Sequence, residues 1–306
     1  MKRSEARRGR PAVGARLLAF AFVACSLVVR DAHAQSRPGL SILLTNDDGY
    51  EAPGLTTLKD ALVAAGHSVT VVAPLDDRSG AGAAHTISGL IDYYQQSEGV
   101  WAVDGTPADA VTLALVHVMR EAPPDLVIVG TDFGQNAGAT VVHSGTVGAA
   151  VTASRIGFPA IAVSVALDFT EAGATPSHAS TRAALAPAAD FVVGLVRQLH
   201  ETDAQGLLPP RVALNVNYPA LGTRAVAGVR FAPVASVRAF RQVFAVAGSS
   251  GPARVETVEG DATRAQADSD LALLGEGFVT ISVLDGSFDA GPAAWEPLLS
   301  RLAIER

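Results

Sequence analysis

The stretch Leu40-Ser41-Ile42-Leu43-Leu44 runs directly into Thr45-Asn46-Asp47-Asp48-Gly49-Tyr50, and no other segment restricts fold and chemistry as tightly. The apolar run suits a strand buried on both faces of a parallel sheet. A helix is predicted from about Pro53 to Ala65, with Leu55, Leu58 and Leu62 on one stripe. Two adjacent carboxylates, Asp47 and Asp48, then stand at the carboxyl end of a strand, where open α/β sheets bind ligands. Neighbouring acids repel each other unless a cation or a shared proton relieves them. Asn-Asp-Asp-Gly also reads as a plain turn with a helix cap, and the tetrapeptide alone does not separate the two.

The N-terminus has a different character. Lys2, Arg3, Arg7, Arg8, Arg10 and Arg16 precede an almost unbroken apolar run from Leu17 to Val29, followed by Ala32-His33-Ala34 before Gln35. A basic region, a short apolar core and a small-x-small site make residues 1–34 a predicted secretory signal peptide. This run of thirteen residues, broken only by Ser26, falls short of the roughly 20 that a spanning helix needs, so no stable membrane insertion is expected. A lipoprotein anchor at Cys25 and twin-arginine export through Arg7-Arg8 are the rival routes. Phe22 fits the lipoprotein box poorly, and Gly9-Arg10-Pro11 lacks the apolar residues of a twin-arginine signal.

Without this leader the chain has 16 basic and 28 acidic residues, a net charge of −12. Such a surface argues against duplex nucleic acid or an anionic membrane as partner, since both need basic footprints. The single cysteine, Cys25, leaves with the leader, which excludes a disulfide framework and a thiolate metal site. About 270 residues remain, enough for one large α/β domain with an elaboration.

Strand-like and helix-like segments alternate along residues 35–306. Val69–Ala73 is a second predicted strand, Leu126–Val129 a third, Ala160–Val165 a fourth and Val212–Val216 a fifth. Helices are predicted after the Thr106 cap with Pro107 in first position, over Thr146–Ile156, and over Ala188–Leu199. This alternation predicts a Rossmann-like, doubly wound, mostly parallel sheet. Beyond about Gly222 the pattern loosens into β-like pieces at Gly228–Ala232 and Val255–Val258, a late strand at Gly277–Val283 and a closing helix near Pro292–Ile304.

The strand ends supply polar loops: Asp76–Gly82 after the second strand, then Gly130–Gly138 and Val142–Thr146 after the third. In a doubly wound sheet these converge on one rim with Asp47 and Asp48. Oxygen ligands without His or Cys clusters suit a hard cation such as Mg²⁺, Mn²⁺ or Ca²⁺. Ser144-Gly145-Thr146 opens a helix, whose free N–H groups favour an anion such as phosphate. Together they favour metal-dependent phosphate chemistry, although each glycine-rich loop alone is only a loop.

These motifs resemble the stationary-phase survival protein SurE family of metal-dependent nucleotidases and phosphatases. The carriers, in chain order, are Ile42–Gly49 with Ala52-Pro53-Gly54, Val72-Ala73-Pro74 with Arg78–Ala81, Gly105–Asp109, and Gly130-x-x-x-Gly134-x-Asn136-x-Gly138. Ser144–Val147, Gly157–Ser164, Asn215–Pro219 and Asp270-Leu271 with Glu276–Ile281 continue the likeness to about residue 285. The resemblance implies a divalent cation, Mg²⁺ or Mn²⁺, held by Asp47, Asp48, the Ser79 hydroxyl and the residue at position 132. The family has asparagine there; this chain has Asp132. It also implies Asn136, Ser144 and Thr146 around the phosphate, with His143 where tyrosine is common. A β-hairpin exchanged between subunits and a homodimer or homotetramer follow from the same resemblance.

The expected reaction is hydrolysis of a nucleoside monophosphate or other phosphomonoester by water, with Asp47, Asp48, Asn136, Ser144 and Thr146 as its catalytic set. His85 and His143 are both open as proton acceptors. A phosphoaspartate route lacks its Asp-x-Asp-x-Thr pattern, because Gly49 and Tyr50 follow Asp48. An exported nucleotide- or phosphate-binding module with a degenerate metal site is the alternative; a receiver-like signalling domain fits the export signal and the Ser-Gly-Thr helix start badly. Export to the periplasm or medium has a direct check: N-terminal sequencing of the exported protein should begin at Gln35. Full-length chain with Met1 intact in the cytoplasm would overturn it.

Overall fold

A computed structural model describes residues 38–204 and 206–287 together with Arg301. The leader (1–34) and all but Arg301 of the closing helix expected at Pro292–Ile304 lie outside the described residues. Strands β1 (Ser41–Thr45), β2 (Ser68–Pro74), β3 (Tyr93–Ser97), β4 (Val100–Val103), β5 (Leu126–Phe133), β6 (Ala160–Val165), β7 (Ala213–Tyr218), β8 (Gly228–Phe231) and β11 (Phe278–Leu284) form one sheet in the order β3-β4-β2-β1-β5-β6-β7-β11-β8. The pairs from β4 through β7 are all parallel; β3 and β11 add the antiparallel contacts. A separate antiparallel hairpin consists of β9 (Phe240–Val246) and β10 (Ala253–Glu259).

Every residue of β1 after Ser41 is buried, because helices cover both faces of the sheet. Ile42 and Leu44 pack with Leu55, Leu58 and Leu62 of α1 (Pro53–Ala64) and with Ala189, Val192 and Val196 of α4 (Ala179–Glu201). Leu43 points the other way, into the core formed with Val111 of α2 (Pro107–Leu113) and Val147, Ala150 and Ala153 of α3 (Gly145–Ile156). The two-residue period of the strand thus serves two cores at once.

The local signals hold where they are strongest. Thr106 and Asp109 form a reciprocal capping box at α2, with Pro107 in the first turn. Ser144 caps α3, accepting from the Val147 N–H at 3.0 Å, and left-handed Gly157 ends it. α4 begins nine residues before the predicted Ala188 and continues through Pro187. One lost backbone donor is offset by the apolar stripe Ala184, Leu185, Ala188, Ala189, Val192 and Val196, all buried.

The strand order gives the site its place. From β1 the chain winds outward through β2 to β4, then returns to β5 on the other side of β1 and proceeds to β6 and β7. The reversal falls between β1 and β5, so the loops beyond their carboxyl ends diverge and leave a crevice.

Candidate active site

Asp47 and Asp48 lie just beyond β1, on a loop tied to the end of β2. The Arg78 N–H donates to the Asp47 carbonyl at 2.7 Å, and the Tyr50 N–H to the Pro74 carbonyl at 2.9 Å. Across the crevice β5 extends four residues past the predicted Val129, because a bulge interrupts its pairing with β6: Val129 faces Ala162, and Asp132 faces Ser164. One inserted residue reverses which side chains point to which face. Gly130, at φ +139°, makes this possible, since a Cβ there would lie 2.3 Å from the Val163 carbonyl oxygen. The result brings oxygens of Asp47, Asp48 and Asp132 within 4.8 Å of one another.

Each carboxylate has its own support. Asp47, almost fully buried, accepts from the Thr146 hydroxyl at 2.5 Å and the Thr146 N–H at 3.1 Å. No side chain fits at Gly145, where a Cβ would sit 2.7 Å from Asp47 Oδ2. Asp48 accepts from the Phe133 N–H at 3.2 Å. Asp132 accepts from the Asn136 amide at 2.6 Å, and the same nitrogen donates to Ser164 Oγ at 2.9 Å.

Burial pushes the Asp47 carboxyl above the usual carboxylate range, against the pull of Thr146. Burial and then the Asp47 charge push Asp48 up to about 7. Asp132 rises well above its ordinary value, by burial first and then by the charges of Asp47 and Asp48. The buried side-chain oxygens Thr45 Oγ1, Asn46 Oδ1 and Thr131 Oγ1 also lack hydrogen-bond partners among the described residues. Crowded oxygens short of positive charge are the donor set that a hard divalent cation fits.

Asp47 and Asp132 open onto a cavity of about 340 Å³ together with Ser79, Asn136, His143 and Ser144. The predicted residues Asp47, Ser79, Asp132, Asn136 and Ser144 therefore converge on one cavity. Thr146 is fully buried and its hydroxyl and N–H are both spent on Asp47. Asn136 spends both amide hydrogens on Asp132 and Ser164. Both hold carboxylates in this structure. Ser144 Oγ accepts from Val147, which leaves its own proton for the cavity. His85 is outside the lining; its ring nitrogens meet the Ala83 carbonyl and Thr112 Oγ1.

Sequence reasoning missed the wall made by the hairpin. Arg238, Phe240, Arg241, Gln242 and Thr257 line the same cavity, with Phe133 and Leu167 completing its apolar part. Only Val255–Val258 of this hairpin carried a β signal, and the two arginines lie about a hundred residues beyond the Gly130–Gly138 and Val142–Thr146 loops.

A family profile described as Survival protein SurE matches residues 42–241. A protein described as 5'-nucleotidase SurE 1, from Burkholderia lata, is 36% identical over 247 residues, covering 79% of this chain and 89% of the relative. A 5'-nucleotidase SurE from Gloeobacter violaceus is 34% identical over 279 residues, covering 86% of this chain and 99% of its own. The crystal structure of the SurE protein from Aquifex aeolicus superposes with a TM-score of 0.68 at 27% identity, over 86% of this chain and 99% of that one.

The clustered acids set a pH dependence for the metal-free protein. All three bind protons more tightly in the fold than in the unfolded chain, where such carboxyls titrate near 3.8. Their contribution is fully present below about 3.8 and, for Asp48, is lost as pH rises through about 7. In EDTA, Tm should fall by several degrees between about pH 5 and about pH 8. Asp48→Asn should flatten that slope, and Mg²⁺ or Mn²⁺ should restore Tm at the upper pH. Identical slopes in wild type and variant would show that the carboxylates do not repel.

Proposed function

The chain belongs to the Survival protein SurE family, and on that premise we propose that it is a metal-dependent phosphomonoester hydrolase acting on nucleoside monophosphates. The observation that carries this reading is the convergence of Asp47, Asp48 and Asp132 at the sheet's reversal point, beside a cavity with uncommitted hydroxyl and guanidinium donors. Relatives described as 5'-nucleotidases support a nucleotide as substrate. Asp47, Asp48, Asp132 and the Ser79 hydroxyl would hold Mg²⁺ or Mn²⁺. When bound, the cation supplies positive charge for the phosphoryl oxygens and acidifies adjacent water.

The chain's own residues divide the remaining work. Thr146 fixes the orientation of Asp47, the Phe133 N–H that of Asp48, and Asn136 that of Asp132. Ser144 donates its free proton to a phosphoryl oxygen as charge shifts in the transition state. His143 lines the cavity and His85 does not, which makes His143 the better placed proton acceptor. Arg238 and Arg241, both exposed, attract the approaching dianion at long range without holding its phosphoryl oxygens, and Phe133, Leu167 and Phe240 offer apolar surface to the leaving group.

We infer further that the mature chain, residues 35–306, works outside the cytoplasm as a homodimer or homotetramer. Self-association is supported by the exposed apolar side chains Phe244, Val246 and Val255 on the hairpin, which one chain leaves in water.

Asp47→Asn or Asp48→Asn should leave a folded protein whose metal-dependent kcat/KM is lower by more than roughly a hundredfold, beyond the cost of losing an outer-shell partner. Near wild-type turnover of both variants at saturating metal would sink the ligand assignment. A wild-type chain that binds nucleotide and Mn²⁺ yet releases no phosphate would instead be the binding module.

Asp132 adds a third negative charge to the site, which strengthens metal binding and opposes an incoming dianion. Asp132→Asn should weaken metal affinity by calorimetry and lower KM for a nucleoside monophosphate, each on the order of tenfold, with kcat unchanged or raised. No change in either quantity would place Asp132 outside the ligand set.

A further inference from the structure

Away from the carboxylate cluster one more acid is completely buried. Asp270, in the first turn of α5 (Asp270–Gly275), has no exposed surface. A buried carboxylate is costly unless it is paired or surrounded by donors. Among the described residues no Lys, Arg or His pairs with it. Its partners are three backbone N–H groups: Gly138 at 3.0 Å to Oδ2, and Ala235 at 2.8 Å and Leu271 at 2.7 Å to Oδ1. Burial raises the carboxyl's pKa and these three donors oppose the rise.

The three amides belong to three stretches that meet nowhere else in sequence. Gly138 closes the glycine-rich loop after β5 and starts the short 3₁₀ turn Ala139–His143, which delivers Thr140, His143 and Ser144 to the cavity. Ala235 stands at the base of the hairpin, just before Arg238, Phe240 and Arg241 reach the same cavity. Leu271 belongs to α5, which leads into β11. Further links join the first two stretches: Ala139 N–H to the Val237 carbonyl at 2.8 Å, and Ala239 N–H to Thr140 Oγ1 at 2.9 Å. Asp270 sits at the buried end of this seam, where no water can replace its oxygens.

We propose that Asp270 is a positioning residue for leaving-group recognition: it fixes the hairpin wall of the cavity against the wall carrying His143 and Ser144, and touches no substrate itself. The inference rests on the phosphohydrolase reading of this cavity. The carboxylates and their cation take the phosphoryl end of a ligand, so the hairpin wall meets what is attached to it. Loosening that wall penalises a large leaving group and leaves the phosphoryl group in place.

Asp270→Asn keeps the shape but turns one acceptor into an NH₂ that faces an N–H. In the full chain it should raise KM for a nucleoside monophosphate by about tenfold, as expected when a positioning contact is lost. kcat, and KM for phenyl phosphate, should stay within about twofold. An equal change for both substrates, or none for either, overturns the proposal. Hydrogen exchange on the wild-type chain tests the anchor without any variant or activity: the amides of Gly138, Ala235 and Leu271 should share one level of protection and open together. Independent opening of the three overturns the anchor. Shared opening in a chain that turns over no phosphomonoester removes the leaving-group role and faults the functional reading, not the seam.

Discussion

Three carboxylates drawn together in a buried crevice repel one another, and most of the local architecture is an answer to that repulsion. Their oxygens lie within 4.8 Å of one another, at a depth where charge is weakly screened. Left to themselves such groups would splay outward. Each is instead tethered by donors from a different element: Thr146 at the start of α3, the Phe133 N–H at the end of β5, and Asn136 in the following loop. The tethers hold the acids in place, and the raised proton affinity of all three marks a shortage of positive charge that a cation can meet.

Holding the acids there requires backbone that ordinary residues would block. The bulge in β5 turns Asp132 toward the crevice, and it depends on Gly130 passing close to the Val163 carbonyl. Gly145 does the same at α3, leaving room for Asp47 against the helix start. Two glycines of the motif Gly130-x-x-x-Gly134-x-Asn136-x-Gly138 are in this light steric requirements: Gly130 against the Val163 carbonyl, and Gly138, where a Cβ would lie 2.2 Å from the Val237 carbonyl oxygen. The price is a site whose parts are over-determined: moving one tether shifts its carboxylate against the other two.

What was legible in the sequence follows from how local the signals are. β1, α1, β2, α2, β6 and β7 were readable because apolar runs, caps and prolines act within a few residues. The Asp47–Asp48 pair and the Ser144 cap were readable for the same reason. β3 and β9 gave no such signal: β3 is exposed throughout and β9 nearly so, which leaves them without an apolar alternation. The partners of Asn136 and Thr146 were not legible because a side chain's partner 4 or 99 residues away depends on packing, not on spacing. The hairpin's contribution to the cavity was invisible, since it rests on the seam around Asp270 and not on any motif of its own.

The departure at position 132 is best understood against that hairpin. An asparagine there would leave two acids facing a divalent cation and a balanced site; an aspartate tips it negative by one charge. Asn136 softens the effect only through a dipole, because its amide carries no net charge. The hairpin brings Arg238 and Arg241 to the same cavity, and among the described residues neither guanidinium is committed to an ion pair. Exposed guanidiniums act at a distance on an approaching dianion more than on the fixed acids beneath. The surplus negative charge at the carboxylate cluster opposes an incoming anion, and the free positive charge at the wall offsets that opposition. A neutral ligand would gain nothing from the two arginines, so that wall suits an anionic ligand better than an uncharged one.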